Sequence, residues 1–134
     1  MAKRSNKAAF EKGLEIRNRV MGEAYTERAF ASADPHDRAV QELVTEWGYG
    51  KFWSRAGLPI ENRSMITIAL LAALNRPEEL RQHIRGALRV GLSCDQVFEV
   101  LLHVMLYCGA PASLAALKVA KLAYADYEAE RDGK

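Results

Sequence analysis

The stretch from Asn75 to Gly91, NRPEELRQHIRGALRVG, constrains this chain most, because it carries the marks of one complete helix. Pro77 suits the first helical position, where the N–H it lacks would have no helical partner. Glu78 and Glu79 follow in the first turn, where the helix dipole favours negative charge. Gly91 supplies a left-handed stop. Between these ends Leu80, Ile84, Ala87 and Leu88 recur at helical spacing and form one apolar stripe. His83 stands beside the stripe, Glu79 lies one turn before it, and Arg76 just precedes the first turn. A carboxylate and an imidazole that meet on one helix face, with an arginine close by, make an acid–base site for an anionic substrate. The same i,i+4 pair also occurs on ordinary solvated helices, and spacing alone does not separate the two readings.

The rest of the chain reads as helical too. Strand-like alternation is absent, and glycine and proline are sparse, so the fold class is all-α with about six helices. A first helix runs over about 6–21, with Phe10, Leu14 and the Arg17 stem on one face, and a loop through Tyr25 and Phe30 follows. Asp34 then caps a second helix that begins at Pro35, with Val40, Leu43, Val44 and Trp47 as its apolar face. Gly48-Tyr49-Gly50 ends it. The following KFWSRAGLP is an aromatic, basic loop that packs over the core or walls a pocket, with Trp53 and Arg55 as candidates.

A third helix over about 60–74 is apolar on nearly every side after Ser64, which makes it the buried central one. Arg63 in its first turn either reaches an anion or is a solvated end. Ser93 and Gln96 form a capping box that opens the helix after Gly91. Val97, Val100, Leu101, Val104 and Cys108 are its core stripe. Glu99, His103 and Tyr107 make a second, polar file at i, i+4 and i+8, which lines a pocket or meets another subunit. Pro111 starts an alanine-rich last helix, with Leu114, Leu117, Leu122 and Tyr124 covering the core.

Length and composition bound the function. A chain of 134 residues is expected to form a single domain over 1–134, with its core at about 34–128. Hydrophobic residues at 49% exclude a disordered tail, and a net charge of +2 with scattered Lys and Arg offers no nucleic-acid patch. The polar start, MAKRSNKAAF, has no secretory core, and no apolar run approaches the ~20 residues of a membrane span. The cytoplasm is therefore the expected compartment, with Cys94 and Cys108 as free buried thiols. These two are too far apart for a Cys-x-x-Cys redox motif. The three histidines show no metal-ligand spacing, so no metal is expected.

His83, Ala87 and Gly91 form the pattern His-x-x-x-Ala-x-x-x-Gly, flanked by WSRAGL at 53–58, NRSMITIALLAALNR at 62–76 and LYCGAPAS at 106–113. In this order and spacing the chain resembles the carboxymuconolactone decarboxylase family, of alkylhydroperoxidase-like fold, over about 13–127. Redox members carry Cys-x-x-Cys-x-x-x-His at this place. Here Arg76 and Glu79 hold the cysteine positions, as in the decarboxylase branch. The resemblance implies decarboxylation of 4-carboxymuconolactone in protocatechuate breakdown, without a cofactor, in a ring-like homo-oligomer, trimer or hexamer. It implies His83 as proton donor with Glu79 orienting it, and Arg76 and Arg63 as carboxylate ligands. Trp53, His103 and Tyr107 are further substrate-binding candidates. Arg85 is the least favoured of these, because it points away from His83 on the helix.

Overall fold

The computed structural model describes residues 6–133. Every regular element among them is helical: seven α-helices and one π-helix, one α-helix more than the apolar pattern predicts. The chain divides after Pro59 into two compact units.

The first unit holds α1 (Lys7–Met21), α2 (Glu23–Ala31), α3 (Pro35–Leu43) and a π-helix, Val44–Trp53. Asn6 caps α1 by accepting from the Ala9 N–H at 3.0 Å, and Asp34 caps α3 by accepting from the N–H groups of His36 and Asp37 at 2.9 and 2.8 Å. The expected loop through Tyr25 and Phe30 is instead α2. Its Glu, Ala and Arg residues are good helix formers, and Phe30 turns back edge-on against Phe10, ring centroids 6.2 Å apart.

The π-helix corrects the sequence reading twice. The expected loop at Lys51–Trp53 is helical. The stripe of Val40, Leu43, Val44 and Trp47 is exposed. Val44 and Trp47 lie in the π-helix, where bonding from i to i+5 widens the turn, so a stripe counted at 3.6 residues does not carry on through it; Val40 and Leu43 lie before it in α3, which buries no residue. Thr45, Glu46 and Tyr49 are buried instead. α1 packs on this helix backbone to backbone. A Cβ at Gly13 would stand 1.9 Å from the Thr45 carbonyl oxygen, and one at Gly50 would stand 2.1 Å from that of Ala9. Only glycine permits that approach. Arg17, 4% exposed, spans the same seam. Its Nη1 donates to Thr45 Oγ1 at 2.9 Å and its Nη2 to Gln41 Oε1 at 2.5 Å.

The second unit holds α4 (Ile60–Ala73), α5 (Pro77–Arg89), α6 (Cys94–Cys108) and α7 (Ala110–Asp132). Its core joins Ile68 and Ala72 of α4, Leu80, Ile84 and Ala87 of α5, Val97 and Leu101 of α6, and Ala116, Ala120 and Ala123 of α7. Each large side chain removed from water there contributes roughly 1.5–3 kcal/mol. α7 meets the core through alanines, and the expected Leu114 and Leu122 are exposed. Small residues let the α7 backbone come close; Leu114 and Leu122 fall on the far face, while Leu117 and Tyr124 pack against the core as expected.

Two other expectations fail in this unit. α4 is not buried all round: Ser64, Ile68 and Ala72 are inside, while Ile66, Leu70 and Leu74 are 47%, 56% and 66% exposed. Cys94 and Cys108 are exposed free thiols, not buried ones. Cys94 is the first residue of α6 and Cys108 the last, so each sits where the helix leaves the core. Among the described residues no helix is long and apolar enough to cross a membrane.

Candidate active site

Asn75 takes φ 57°, a left-handed turn that asparagine tolerates. The Arg76 N–H donates back to the Leu71 carbonyl at 3.0 Å, and the Arg76 carbonyl accepts from the Leu80 N–H at 2.9 Å. This turn delivers Pro77 to the first position of α5. Arg76 and Glu79 are exposed, and His83, one turn after Glu79, is half-buried next to the buried Ile84. The helix thus presents an imidazole at the boundary between core and solvent, where a proton can be exchanged with a bound molecule. The recess beside Arg76, walled by Leu71, Pro77 and Ala116, holds about 60 Å³. That is the room of about two waters, less than a lactone ring needs.

Arg85 lies on the other flank of α5. Its Nη2 donates to Glu130 Oε2 at 3.1 Å, and Arg89 Nη2 donates to the same oxygen at 2.6 Å. Burial pushes the Glu130 carboxyl up, but the hydrogen bonds from Arg89 and Arg85 outweigh it and hold the group below its ordinary range. Arg85 is therefore tied to α7. Arg81 Nε and Nη2 make a two-pronged pair with Asp126 in the same helix interface, at 2.6 and 2.8 Å.

His103 and Tyr107 lie elsewhere in the unit, in a groove of about 720 Å³ between α4 and α6. Met65, Ile66, Ala69, Leu70 and Ala73 form one wall, and Gln96, Glu99, Val100, His103, Val104, Tyr107 and Cys108 the other. The polar file counted from sequence therefore faces one space. The His103 and Tyr107 rings are 5.4 Å apart at a tilt of 51°. An apolar groove with a few convergent polar groups is the usual form of a small-molecule site. α5 adds no residue to this lining.

Arg63 is half-buried in the first turn of α4, and its carbonyl accepts from Thr67 Oγ1 at 2.8 Å. Trp53 lies in the first unit, stacked on Tyr49 at 5.5 Å and 25°. Burial, the largest influence, pushes the Tyr49 phenol up to about 12. Two groups escaped the sequence reading. Ser64 is 1% exposed, and its hydroxyl has no hydrogen-bond partner among the described residues. The helical pattern puts only the stem of Arg17 on the apolar face, yet its whole side chain is inside. Arg17 follows Gly13 by one turn, which was the available signal that α1 turns this face inward. Among the described residues, no three of His, Cys, Asp and Glu are placed to hold a metal ion.

The model of the carboxymuconolactone decarboxylase family matches residues 38–122. The chain is 38% identical over 117 residues to a 4-carboxymuconolactone decarboxylase from Acinetobacter baylyi, covering 87% of each protein. It is also 38% identical over 110 residues to a nitrosuccinic acid decarboxylase from Metarhizium robertsii, covering 82% of this chain and 77% of that one.

Proposed function

The chain belongs to the carboxymuconolactone decarboxylase family, and on that premise we propose that it removes CO2 from 4-carboxymuconolactone to give the enol-lactone of β-ketoadipate. The observation that carries this reading is the 38% identity to a 4-carboxymuconolactone decarboxylase over 87% of both chains. Decarboxylation is the activity that its two named relatives have in common.

The substrate is a five-membered unsaturated lactone whose ring carbon bears both a carboxylate and an acetate arm. When the bond to the carboxylate breaks, its electron pair moves through the ring double bond into the lactone carbonyl. An enolate forms, and a proton delivered to the ring carbon next to that carbonyl completes the enol-lactone. The substrate accepts its own electrons, so the chemistry calls for no metal or organic cofactor.

The residues divide the work. His83 gives the proton, and its half-buried place on α5 supports that role. Glu79, one turn earlier, orients the imidazole. Arg63 and Arg76 hold the spectator carboxylate, for which a guanidinium is well shaped. His103 and Tyr107 serve binding rather than proton transfer. The exposed apolar side chains of α4 and α6, including Leu70 at 56% and Leu106 at 69%, support assembly into a homo-oligomer of three or six copies.

The Metarhizium relative favours a second substrate, nitrosuccinate. The two molecules share a skeleton: the departing carboxylate sits on a carbon joined to an electron acceptor and to a CH2–carboxylate arm. They differ in the acceptor, a conjugated lactone in one and a nitro group in the other. Purified protein, offered each compound separately with CO2 release as readout, tests both. We expect a kcat/KM for the lactone at least tenfold above that for nitrosuccinate. The reverse order would replace the first reading with the second, and no release from either would sink both.

A further inference from the structure

A helix that is apolar on more than one side is stable in water only when each of those sides is covered. α6 has one side covered: Val97, Leu101 and Val104 are buried in the core of the second unit. Outside that stripe Leu102, Met105 and Leu106 are exposed. The same surface carries a hollow of about 250 Å³ whose lining, Glu99, Leu102, His103, Met105 and Leu106, comes from α6 alone. Glu99, Leu102, His103 and Leu106 stand at i, i+3, i+4 and i+7, the four positions that frame a hole for one side chain of a facing helix. The exposed face is therefore shaped to receive a helix.

That face also carries its own electrostatic complement. Glu99 and His103 form no ion pair with each other or with another described residue, and the His103 ring tilts against Tyr107 instead. α6 runs over 15 residues, Cys94–Cys108, so Leu101 is its midpoint, and Glu99 and His103 stand symmetrically on either side of it. Laid antiparallel on a second α6, midpoint against midpoint, the helix brings Glu99 of each copy level with His103 of the other. Two carboxylate–imidazole contacts then form at once, related by a two-fold axis. A parallel pairing in register would set Glu99 against Glu99, like charges across the contact.

We propose that the exposed face of α6 docks on α6 of a second copy of this chain, antiparallel about a two-fold axis, with Glu99 of each copy paired to His103 of the other. The pairing rests on the homo-oligomer proposed above and is independent of the substrate. A ring of three has no such two-fold axis, whereas two rings of three joined face to face have it, so the pairing selects six copies over three. Glu99 and His103 also line the groove between α4 and α6. The second helix therefore covers one open side of that groove and encloses the space where His103 and Tyr107 are proposed to bind substrate.

The experiment is light scattering of the intact protein over a range of concentrations, for wild type and three variants. Wild type is expected at six copies. Leu106→Asp puts a charge into the apolar contact and should leave three. His103→Glu sets two carboxylates against each other across the axis and should weaken the pairing by about tenfold or more. Adding Glu99→Arg to it restores opposite charges and should bring the pairing back to within about threefold of wild type. All three side chains are exposed, and circular dichroism checks that each variant keeps its helices. Leu106→Ser, a milder change, stands in for Leu106→Asp if that variant does not fold. A wild-type protein of three copies overturns the pairing and keeps the oligomer, and a monomer overturns both. Two copies that fall to one in Leu106→Asp keep the pairing and overturn only the count of six. Assembly that persists in Leu106→Asp, or a loss in His103→Glu that Glu99→Arg does not repair, overturns the pairing. CO2 release from the lactone tests the decarboxylase reading separately, so neither failure can be mistaken for the other.

Discussion

Arg85 and Arg89, one turn apart on α5, both end on a single oxygen of Glu130, at 3.1 and 2.6 Å. This convergence joins α5 to the last two turns of α7. It also sets the sign of one pH effect. The folded carboxyl lies below its ordinary 4.5, so its stabilisation is fully present above that value and disappears as pH falls through the lower, folded pKa. Glu130→Gln should lower the thermal midpoint by a few degrees at pH 7, about the effect of one partly exposed ion-pair network. The gap between wild type and variant should close in the acid range. Thermal melts at pH 7 and pH 3 check this, and a gap that widens toward acid would contradict it.

His83 lies on α5 and His103 on α6, in the wall of the groove, and their proposed roles differ, so their substitutions should act differently. Loss of a general acid costs about 10²–10⁴ in rate. His83→Gln should therefore lower kcat within that range and leave KM nearly unchanged, while His103→Gln should mainly raise KM. Glu79→Gln should resemble a milder His83 variant. Steady-state kinetics on the lactone decide the assignment: a normal kcat in His83→Gln with a lost kcat in His103→Gln would exchange the roles.

Gly13→Ala should destabilise the protein, although alanine is the better helix former by about 1 kcal/mol. The new Cβ would stand 1.9 Å from the Thr45 carbonyl oxygen, and a backbone atom cannot swing aside as a side chain can. A loss of about 1–3 kcal/mol, the usual cost of overpacking, is expected in urea unfolding. An unchanged or raised stability would show that α1 and the π-helix are not in backbone contact.

Both cysteines are exposed, so both thiols should react with a water-soluble disulfide reagent in the native protein, without denaturant. Replacing them together, Cys94→Ser with Cys108→Ala, should keep turnover within about tenfold, because surface changes seldom cost much. A thousandfold loss with the fold intact would return the chain to thiol chemistry.

The helical class, the start of α5 at Pro77 and the caps at Asp34 and Ser93 were all determined by sequence, because each follows from local backbone chemistry. A missing N–H, a side chain that accepts from the next turn and a 3.6-residue stripe act over a few residues and need no partner. The motif around His83, Ala87 and Gly91 likewise marked the family. What needed tertiary structure was the choice of which apolar face to bury. α4 is apolar all round, and only packing against α5, α6 and α7 decided that Ile66, Leu70 and Leu74 stay outside. α7 offers leucines and alanines, and close helix approach took the alanines inward. The π-helix arose where the tight Gly13 and Gly50 contacts and the Arg17 bridge hold Thr45 against α1. The charge in that seam was equally hidden, because an arginine in a sequence gives no sign of whether water or protein will surround it.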